Sequence, residues 1–277
     1  AGELPKDEVG RGVAVRIMTG APIPPGADTV VPFEDTDEFE RKSRGEGPGT
    51  MTEIRIMADV PMESNIRPAG QDIRAGQLAL ERGTVLRPSE IGVLASLGRD
   101  WVEVVRRPLV AVIATGDELL EPGEPLAAGK IYNSNSYGVS AAIRHYGGIP
   151  LLLGIAGDNL ESMNAKLEEG LTADLLITSA GVSRGDYDIV KDVLASRGEI
   201  AFWSVRMRPA KPLAFGVFTA SGGRKVPHVG LPGNPVSALV AFEEMVRPAI
   251  LTMLGRKDLE KPTVRAELEV DIVNTDG

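Results

Sequence analysis

From Pro108 onward the sequence repeats one pattern three times: a strand-like run, a short loop and a segment with helical spacing. The strand-like runs are PLVAVIA, PLLLGIA and DLLITS, and the first of them is continuously apolar. Continuous apolar runs of this length are typical of parallel strands that are buried on both faces. Because parallel strands joined through helices close by right-handed crossovers, the repeat predicts a three-layer α/β domain.

The segments between and after these runs predict the remaining elements of that domain. Apolar residues at helical spacing predict helices over 134–147 and 159–169 and from Val190 to a stop at Gly198. The strand-like runs IAFWSVR, PLAFGVF and VPHVG follow, and a last helix is expected directly after GLPGN.

The rest of the chain is organised differently. The N-terminal third is rich in Pro, Gly and short β-branched runs such as VAVRI, and one short helix is predicted within RPSEIGVLASLG. We expect a β-rich domain over 1–70, a linking or dimerisation segment over 71–105, the α/β domain over 106–257, and the start of a truncated C-terminal β domain over 258–277.

Composition limits the function classes. A formal net charge of -9 argues against a broad surface for nucleic acid or anionic membrane, so an anionic ligand needs a local pocket. The absence of cysteine excludes disulfides, thiolate nucleophiles and Cys-type zinc sites. The sequence has no membrane-spanning apolar run and no signal pattern at its start, so we expect a cytoplasmic protein.

In an open α/β sheet, ligands collect beyond the carboxyl ends of the strands. The loop after the first strand places Thr115 and Gly116 before the adjacent acids Asp117 and Glu118. Adjacent carboxylates suit a hard cation such as Mg²⁺, with a plain acidic loop as the alternative. We expect Thr115, Gly116 and Asp117 to contact substrate.

The loops after the next two strands also carry acids. In GDNLES, Asp158 or Asn159 can cap the following helix. In SAGVSRGDYD, glycines that include Gly181 bracket Ser183, and Asp188 lies at the start of a helix. Such glycines let backbone N–H groups form an anion-binding nest, while a nearby carboxylate can take a metal or a proton.

Two further stretches suit an oxyanion. VRMRPAKPLAF sets Arg206, Arg208 and Lys211 close together before Pro212, and a solvated edge strand is the alternative. In GLPGNPVSAL, two prolines flank a Gly-Asn pair at the mouth of a helix, which suits an anion site or a rigid helix entry without ligand. The residues of this second stretch are Pro232, Gly233, Asn234 and Pro235.

Taken together, these motifs resemble the molybdopterin molybdenumtransferase family, which comprises bacterial MoeA proteins and the E domain of gephyrin. The resemblance runs in order from about Val13 to about Leu254. It is carried by VRIMTGAPIPPGADTVV, NIRPAGQDI, ATGDEL, GKIYNSNS, SAGVSRGDYDIVK, FWSVRMRPAKPLAFG and GLPGNPVSALVAF. Because members of the family are longer, we expect this chain to lack parts of both ends.

The resemblance implies a homodimer that takes adenylylated molybdopterin and molybdate, releases AMP in a Mg²⁺-dependent step and leaves molybdenum on the pterin dithiolene. A molybdopterin adenylyltransferase would act upstream as a partner. No nucleic acid and no membrane is expected as a partner.

The resemblance also implies roles for individual residues. Glu118, Asp158 and Asp188 match acidic active-site residues and would hold the metal. Asp72, also catalytic, matches residues brought from the dimer partner, as do the substrate-binding Thr19 and Arg67. Ser183, Arg208, Lys211 and Pro212 match the molybdate pocket of plant relatives, and Pro232 and Pro235 match a functional proline loop.

Three alternative functions stay open from the sequence. One is the related molybdopterin adenylyltransferase, although IMTGAP and NIRPAGQDI count against it because that enzyme lacks the N-terminal region. The second is a non-catalytic scaffold like the gephyrin E domain. The third is a nucleotide-binding module of another use, since such loops on an α/β sheet serve many chemistries.

Overall fold

The computed structural model describes residues 4, 6–47, 49, 51–180 and 189–271 of the 277-residue chain. The chain divides into two compact units, Ala1–Arg82 and Gly83–Gly277. Within the described ranges no helix is long and apolar enough to cross a membrane.

A six-stranded sheet forms the centre of the second unit. Its strands lie in the order β4-β1-β5-β8-β7-β6, with the first four parallel and the last two antiparallel to their neighbours. A separate two-stranded ribbon is formed by β2 and β3. The strands are β1 Leu109–Thr115, β2 Leu119–Leu120, β3 Ile131–Tyr132, β4 Ile149–Ala156, β5 Leu175–Ser179, β6 Gly198–Ser204, β7 Pro212–Thr219 and β8 Lys225–Leu231.

Helices connect the strands as the sequence pattern predicts. The helices are α1 Glu38–Ser43, α2 Pro88–Ser96, α3 Ser134–His145, α4 Leu160–Gly170, α5 Ile189–Arg197, α6 Pro235–Ala241 and α7 Arg247–Met253. A π-helical turn, Phe242–Val246, joins α6 to α7. Proline at the first position of α2 and α6 suits its fixed φ and missing N–H group.

The core has one apolar cluster on each face of the sheet. Val110 and Val112 of β1 belong to a cluster with residues of α3, α6 and α7. Ala111 and Ile113 alternate to the other face and belong to a cluster with residues of α4 and α5. Because β1 is buried on both faces, its sequence is continuously apolar, and the predicted three-layer α/β fold is confirmed.

An ion pair between Arg106 and Asp174 links the segments that directly precede β1 and β5, at the amino ends of these strands. The Arg106 guanidinium donates to both carboxylate oxygens of Asp174, at 2.8 and 2.7 Å. The same carboxylate accepts a 2.7 Å hydrogen bond from the Leu109 N–H group at the start of β1. These hydrogen bonds lower the pKa of Asp174 below its usual range, and the largest contribution comes from Arg106. They outweigh partial burial, which acts to raise this pKa.

The N-terminal unit contains turns where the sequence predicts strands. In its described residues the only β-type pairing is one isolated bridge, between Thr36 and Ile56. A turn lies on each side of the VAVRI run. The first is closed by a hydrogen bond from the Val13 N–H group to the Gly10 carbonyl, and the second by one from the Ala21 N–H group to the Met18 carbonyl. A run this short forms a strand only when a second run lies alongside to complete the ladder.

The last described segment, 258–271, likewise contains neither helix nor strand, although VRAELEVDIV alternates like a strand. One residue of this segment is fixed by charge. The Lys261 ammonium group lies 3.0 Å from a carboxylate oxygen of Glu243 and 3.4 Å from one of Glu244. These two ion pairs attach the start of the segment to the π-helical turn.

Candidate active site at the carboxyl edge of the sheet

Four loops leave the sheet side by side at the carboxyl ends of its parallel strands. Thr115 at the end of β1 is level with Ala156 at the end of β4, and Ser179 at the end of β5 is level with Leu231 at the end of β8. β1 lies between β4 and β5, so the chain order reverses at β1, which is the position where open α/β sheets bind ligands. The points at which the predicted loops leave the strands are therefore neighbours in the fold.

The basic stretch reaches the same edge from the antiparallel side. Ser204 at the end of β6 pairs with Pro212 at the start of β7, so the intervening connection lies beyond the carboxyl end of β8. The Val205 N–H group donates to the Lys211 carbonyl at 2.8 Å and closes this connection. Arg208 and Lys211 are exposed, and Ala210 between them is buried with a φ of 77°.

Asp117 and Asp158 bind each other reciprocally across two of the loops. The Asp158 N–H group donates to Asp117 Oδ1 at 3.0 Å, and the Asp117 N–H group donates to Asp158 Oδ2 at 3.3 Å. The Lys130 ammonium group donates to the Asp117 carbonyl. These contacts fix the two acidic loops relative to each other and leave Asp158 Oδ1 outside the reciprocal pair.

Glu118 lies beside this pair. It is exposed, and its carboxylate lies so close to Gly116 that a Cβ atom built there would overlap it. Gly116 also has a φ of 135°, which side chains other than that of glycine rarely allow. The glycine of ATGDEL is therefore required by this turn.

Asparagines cap the helices α4 and α6 at this edge. Asn159 Oδ1 accepts from the Ser162 N–H group at 2.8 Å, so Asn159, and not Asp158, caps α4. Asn234 Oδ1 accepts from the Ser237 N–H group at 3.1 Å and caps α6. Pro232, before that cap, is buried, whereas Gly233, Asn234 and Pro235 are exposed.

Asn135 is a residue of this edge that sequence reasoning missed. Its side-chain amide donates to Ser179 Oγ and to the Gly233 carbonyl, both at 2.8 Å. Thr115, which is buried, adds a 3.2 Å hydrogen bond from its hydroxyl to the Ser179 carbonyl. The one available signal was the cluster of polar residues in GKIYNSNS, directly before α3.

The predicted metal ligands are only partly described by the structure. Gly181, Ser183 and Asp188 lie outside the described residues. Among the residues that are described, no three His, Asp or Glu side chains form a group that could hold a metal ion. Glu118 and Asp158 stay predicted ligands.

The residues predicted from the N-terminal unit are described within that unit alone. The Arg67 guanidinium lies 3.3 Å from the Asp72 carboxylate, and both side chains are exposed. Asp72 also lines an open hollow of about 1130 Å³ formed by residues within 66–77. Thr19 is exposed in a turn that includes Gly20.

Two family models match the chain in succession. The model described as "MoeA N-terminal region (domain I and II)" matches residues 1–98. The model described as "Probable molybdopterin binding domain" matches residues 111–252, which hold the sheet and the four loops. The chain belongs to the MoeA family. The resemblance read from the sequence motifs is confirmed.

Individual members of the MoeA family agree with this assignment. Molybdopterin molybdenumtransferase 2 of Mycobacterium tuberculosis (strain H37Rv) is 38% identical over 271 residues, which are 95% of this chain and 63% of the relative. Molybdopterin molybdenumtransferase of Haemophilus influenzae is 40% identical over 251 residues, or 90% of this chain and 58% of the relative. The crystal structure of the MoeA protein from Pyrococcus horikosii superposes with a TM-score of 0.71 at 34% identity, covering 93% of this chain and 61% of that one. The chain thus spans about three fifths of the length of these MoeA relatives.

Proposed function

We propose that the protein acts in molybdenum cofactor biosynthesis as a molybdopterin molybdenumtransferase. In this reaction molybdenum from molybdate enters adenylylated molybdopterin and AMP is released in a Mg²⁺-dependent step. One observation carries the proposal: acidic loops after β1 and β4 and a basic connection before β7 lie at one edge of one sheet, in a chain of the MoeA family.

The charges at this edge suit both substrates. Arg208 and Lys211, on the basic connection, would hold molybdate, because a guanidinium fork and an ammonium group both bind tetrahedral oxyanions. Ala210 between them is buried, which anchors the connection to the domain core. Fixing molybdate beside the bound phosphate would let a molybdate oxygen act as nucleophile without a further cost of orientation.

The acidic loops suit Mg²⁺ by the chemistry of their donors. Mg²⁺ keeps several waters and is usually held by one or two carboxylates together with substrate phosphates. Glu118 and Asp158 provide two carboxylates on neighbouring loops, and Asp188 is the proposed third. Bound Mg²⁺ would neutralise charge on the phosphate and polarise it for attack. The contacts from Asp117 hold the Asp158 carboxylate in place before ligands bind.

We further propose that the protein is a cytoplasmic homodimer in which Thr19, Arg67 and Asp72 reach the site of the partner subunit. A molybdopterin adenylyltransferase would supply its substrate. Sedimentation velocity tests the oligomer, since a monomer at micromolar concentration contradicts this part of the proposal.

The test of the activity is AMP release from adenylylated molybdopterin and Mg²⁺, followed by chromatography with and without molybdate. Molybdate should stimulate release by the wild-type protein, and Glu118→Gln and Asp188→Asn should each reduce it at least about tenfold. Glu161→Gln, an exposed carboxylate in the first turn of α4, is the matched control. Unchanged release by Asp188→Asn contradicts its assigned role, and no release by the wild-type protein contradicts the proposed function.

A further inference from the structure

Asn135 joins the end of one strand to a loop at the carboxyl edge. It lies in the first turn of α3 and is half-buried. Its amide nitrogen lies 2.8 Å from Ser179 Oγ at the end of β5 and 2.8 Å from the Gly233 carbonyl oxygen, in the loop after β8. The second contact spans 98 residues of sequence.

The chemistry of the contacts fixes the orientation of this amide. The Gly233 carbonyl can only accept a hydrogen bond, so the nitrogen of the Asn135 amide, and not its oxygen, must face it. An amide nitrogen has two protons, and the two contacts use one each. Both amide protons of Asn135 are therefore used in hydrogen bonds to residues outside its own helix, one at the end of β5 and one in the loop after β8.

Stabilising the helix end does not account for Asn135. The cap of α3 is Asn133, whose Oδ1 accepts from the Ser136 N–H group at 3.2 Å. Asn135 neither caps its helix nor belongs to the apolar clusters, yet it links the end of β5 to the loop after β8. We therefore expect it to act on the shape of that loop.

The contact to Gly233 sets the direction of one peptide group. In a trans peptide the carbonyl and the next N–H group point in opposite directions. By holding the Gly233 carbonyl toward α3, Asn135 also fixes the Asn234 N–H group. Gly233 packs against Ala180 as well, since a Cβ atom built at Gly233 would lie 3.4 Å from the Ala180 Cβ atom.

We propose that Asn135 is a positioning residue for substrate binding: it holds the loop 232–235, which is one of the predicted substrate-binding loops, in the shape that binds the adenylylated substrate. The inference rests on the proposed function and adds a residue to it. Asn135 acts through Gly233 and does not touch the reacting atoms.

The test compares Asn135→Ala with Asn164→Ala. Asn164 is a matched control because it is also half-buried and helical, and its amide also donates to a carbonyl at 2.8 Å, that of Leu160 on α4. We expect the Kd for AMP and the KM for adenylylated molybdopterin to rise about five- to tenfold in Asn135→Ala, with kcat changed less than about threefold. Asn164→Ala should leave all three values close to wild type.

A second variant keeps the test decisive if Asn135→Ala is unstable. Asn135→Asp has the same shape, and its carboxylate can accept from Ser179 but cannot donate to Gly233. It should weaken AMP binding while melting close to wild type.

Wild-type affinity for AMP in a folded Asn135→Asp variant overturns the inference, as does an equal loss in Asn164→Ala. A wild-type protein that neither binds AMP nor releases it contradicts the proposed function instead, so the two failures are distinguishable.

Discussion

The exposed carboxylate of Asp117, a predicted substrate contact, makes a hydrogen bond within the protein. One of its oxygens accepts from the Asp158 N–H group at 3.0 Å, and its own N–H group returns a hydrogen bond to Asp158. Accepting a hydrogen bond does not require a negative charge. A substitution of Asp117 that keeps the acceptor oxygen but removes the charge therefore distinguishes a positioning role from a role that depends on charge.

We predict that Asp117→Asn keeps molybdate-dependent AMP release within about threefold of wild type, whereas Asp117→Ala loses about tenfold or more. The asparagine oxygen still accepts from Asp158, and the alanine variant leaves that N–H group without its partner. The measurement is the initial rate of AMP release. Equal losses in the two variants would show that Asp117 acts through its charge.

His228 is a fully buried histidine in the centre of β8. Its Nε2 atom lies 3.0 Å from the hydroxyl of Thr178, and its ring packs edge-on against Phe218. Its Nδ1 atom has no hydrogen-bond partner among the residues that the structure describes. Burial lowers the pKa of His228 to about 3. The folded protein therefore holds this ring neutral through the mildly acidic range.

The lowered pKa predicts a loss of stability in acid. Between about pH 6.5 and pH 3 the unfolded chain binds a proton at His228 that the folded protein does not, so the free energy of unfolding falls as pH falls. One proton corresponds to a slope of about 1.4 kcal/mol per pH unit. Urea unfolding between pH 4 and 6 should show a slope smaller by about this amount in His228→Leu. His145→Leu is the control, because His145 is exposed; an unchanged slope in His228→Leu contradicts the prediction.

At the scale of elements, the loop from Pro232 to Pro235 shows how backbone stiffness serves binding. Pro232 is buried, Asn234 caps α6, and Pro235 starts that helix. Proline limits the conformations of the free loop, so less entropy is lost when a ligand orders it.

We predict that Pro232→Ala raises the Kd for AMP about three- to tenfold while lowering the free energy of unfolding by only about 1 kcal/mol. Isothermal titration calorimetry and urea unfolding give the two values. Pro227→Ala is the matched control, because Pro227 lies in β8 toward the opposite edge of the sheet. A loss of stability without a change in AMP affinity would assign Pro232 to folding alone.

The sequence predicts the elements of the sheet well and their side-chain contacts poorly. Burial on both faces makes β1 apolar from Leu109 to Ala114, so this strand is visible in one stretch of sequence. The reciprocal contacts of Asp117 with Asp158 join residues 41 positions apart, and no local pattern encodes them. The VAVRI run shows the same limit, because a strand depends on a neighbour that local propensity does not specify.

At the scale of the whole molecule, the two units differ in the contacts that stabilise each of them internally. The six-stranded sheet and both apolar clusters lie within Gly83–Gly277. The described residues of Ala1–Arg82 contain one short α-helix and many turns, with the buried Glu38 carboxylate paired to Arg16 at 3.1 Å.

We predict that a fragment of residues 83–277 folds on its own, because burial of apolar side chains on both sheet faces supplies most of the stabilisation of such a domain. Circular dichroism during urea unfolding should show one cooperative transition. A gradual, non-cooperative loss of signal would show that the sheet requires the N-terminal unit.

The account depends most on the position of the substrate site at the carboxyl edge of the sheet. A crystal structure of the protein soaked with AMP and molybdate, with anomalous data at the molybdenum edge, measures that position directly. We predict AMP density at the loops that follow residues 115, 157, 179 and 231, and an anomalous peak beside Arg208 and Lys211. Density for either ligand elsewhere, with these loops empty, would contradict the account.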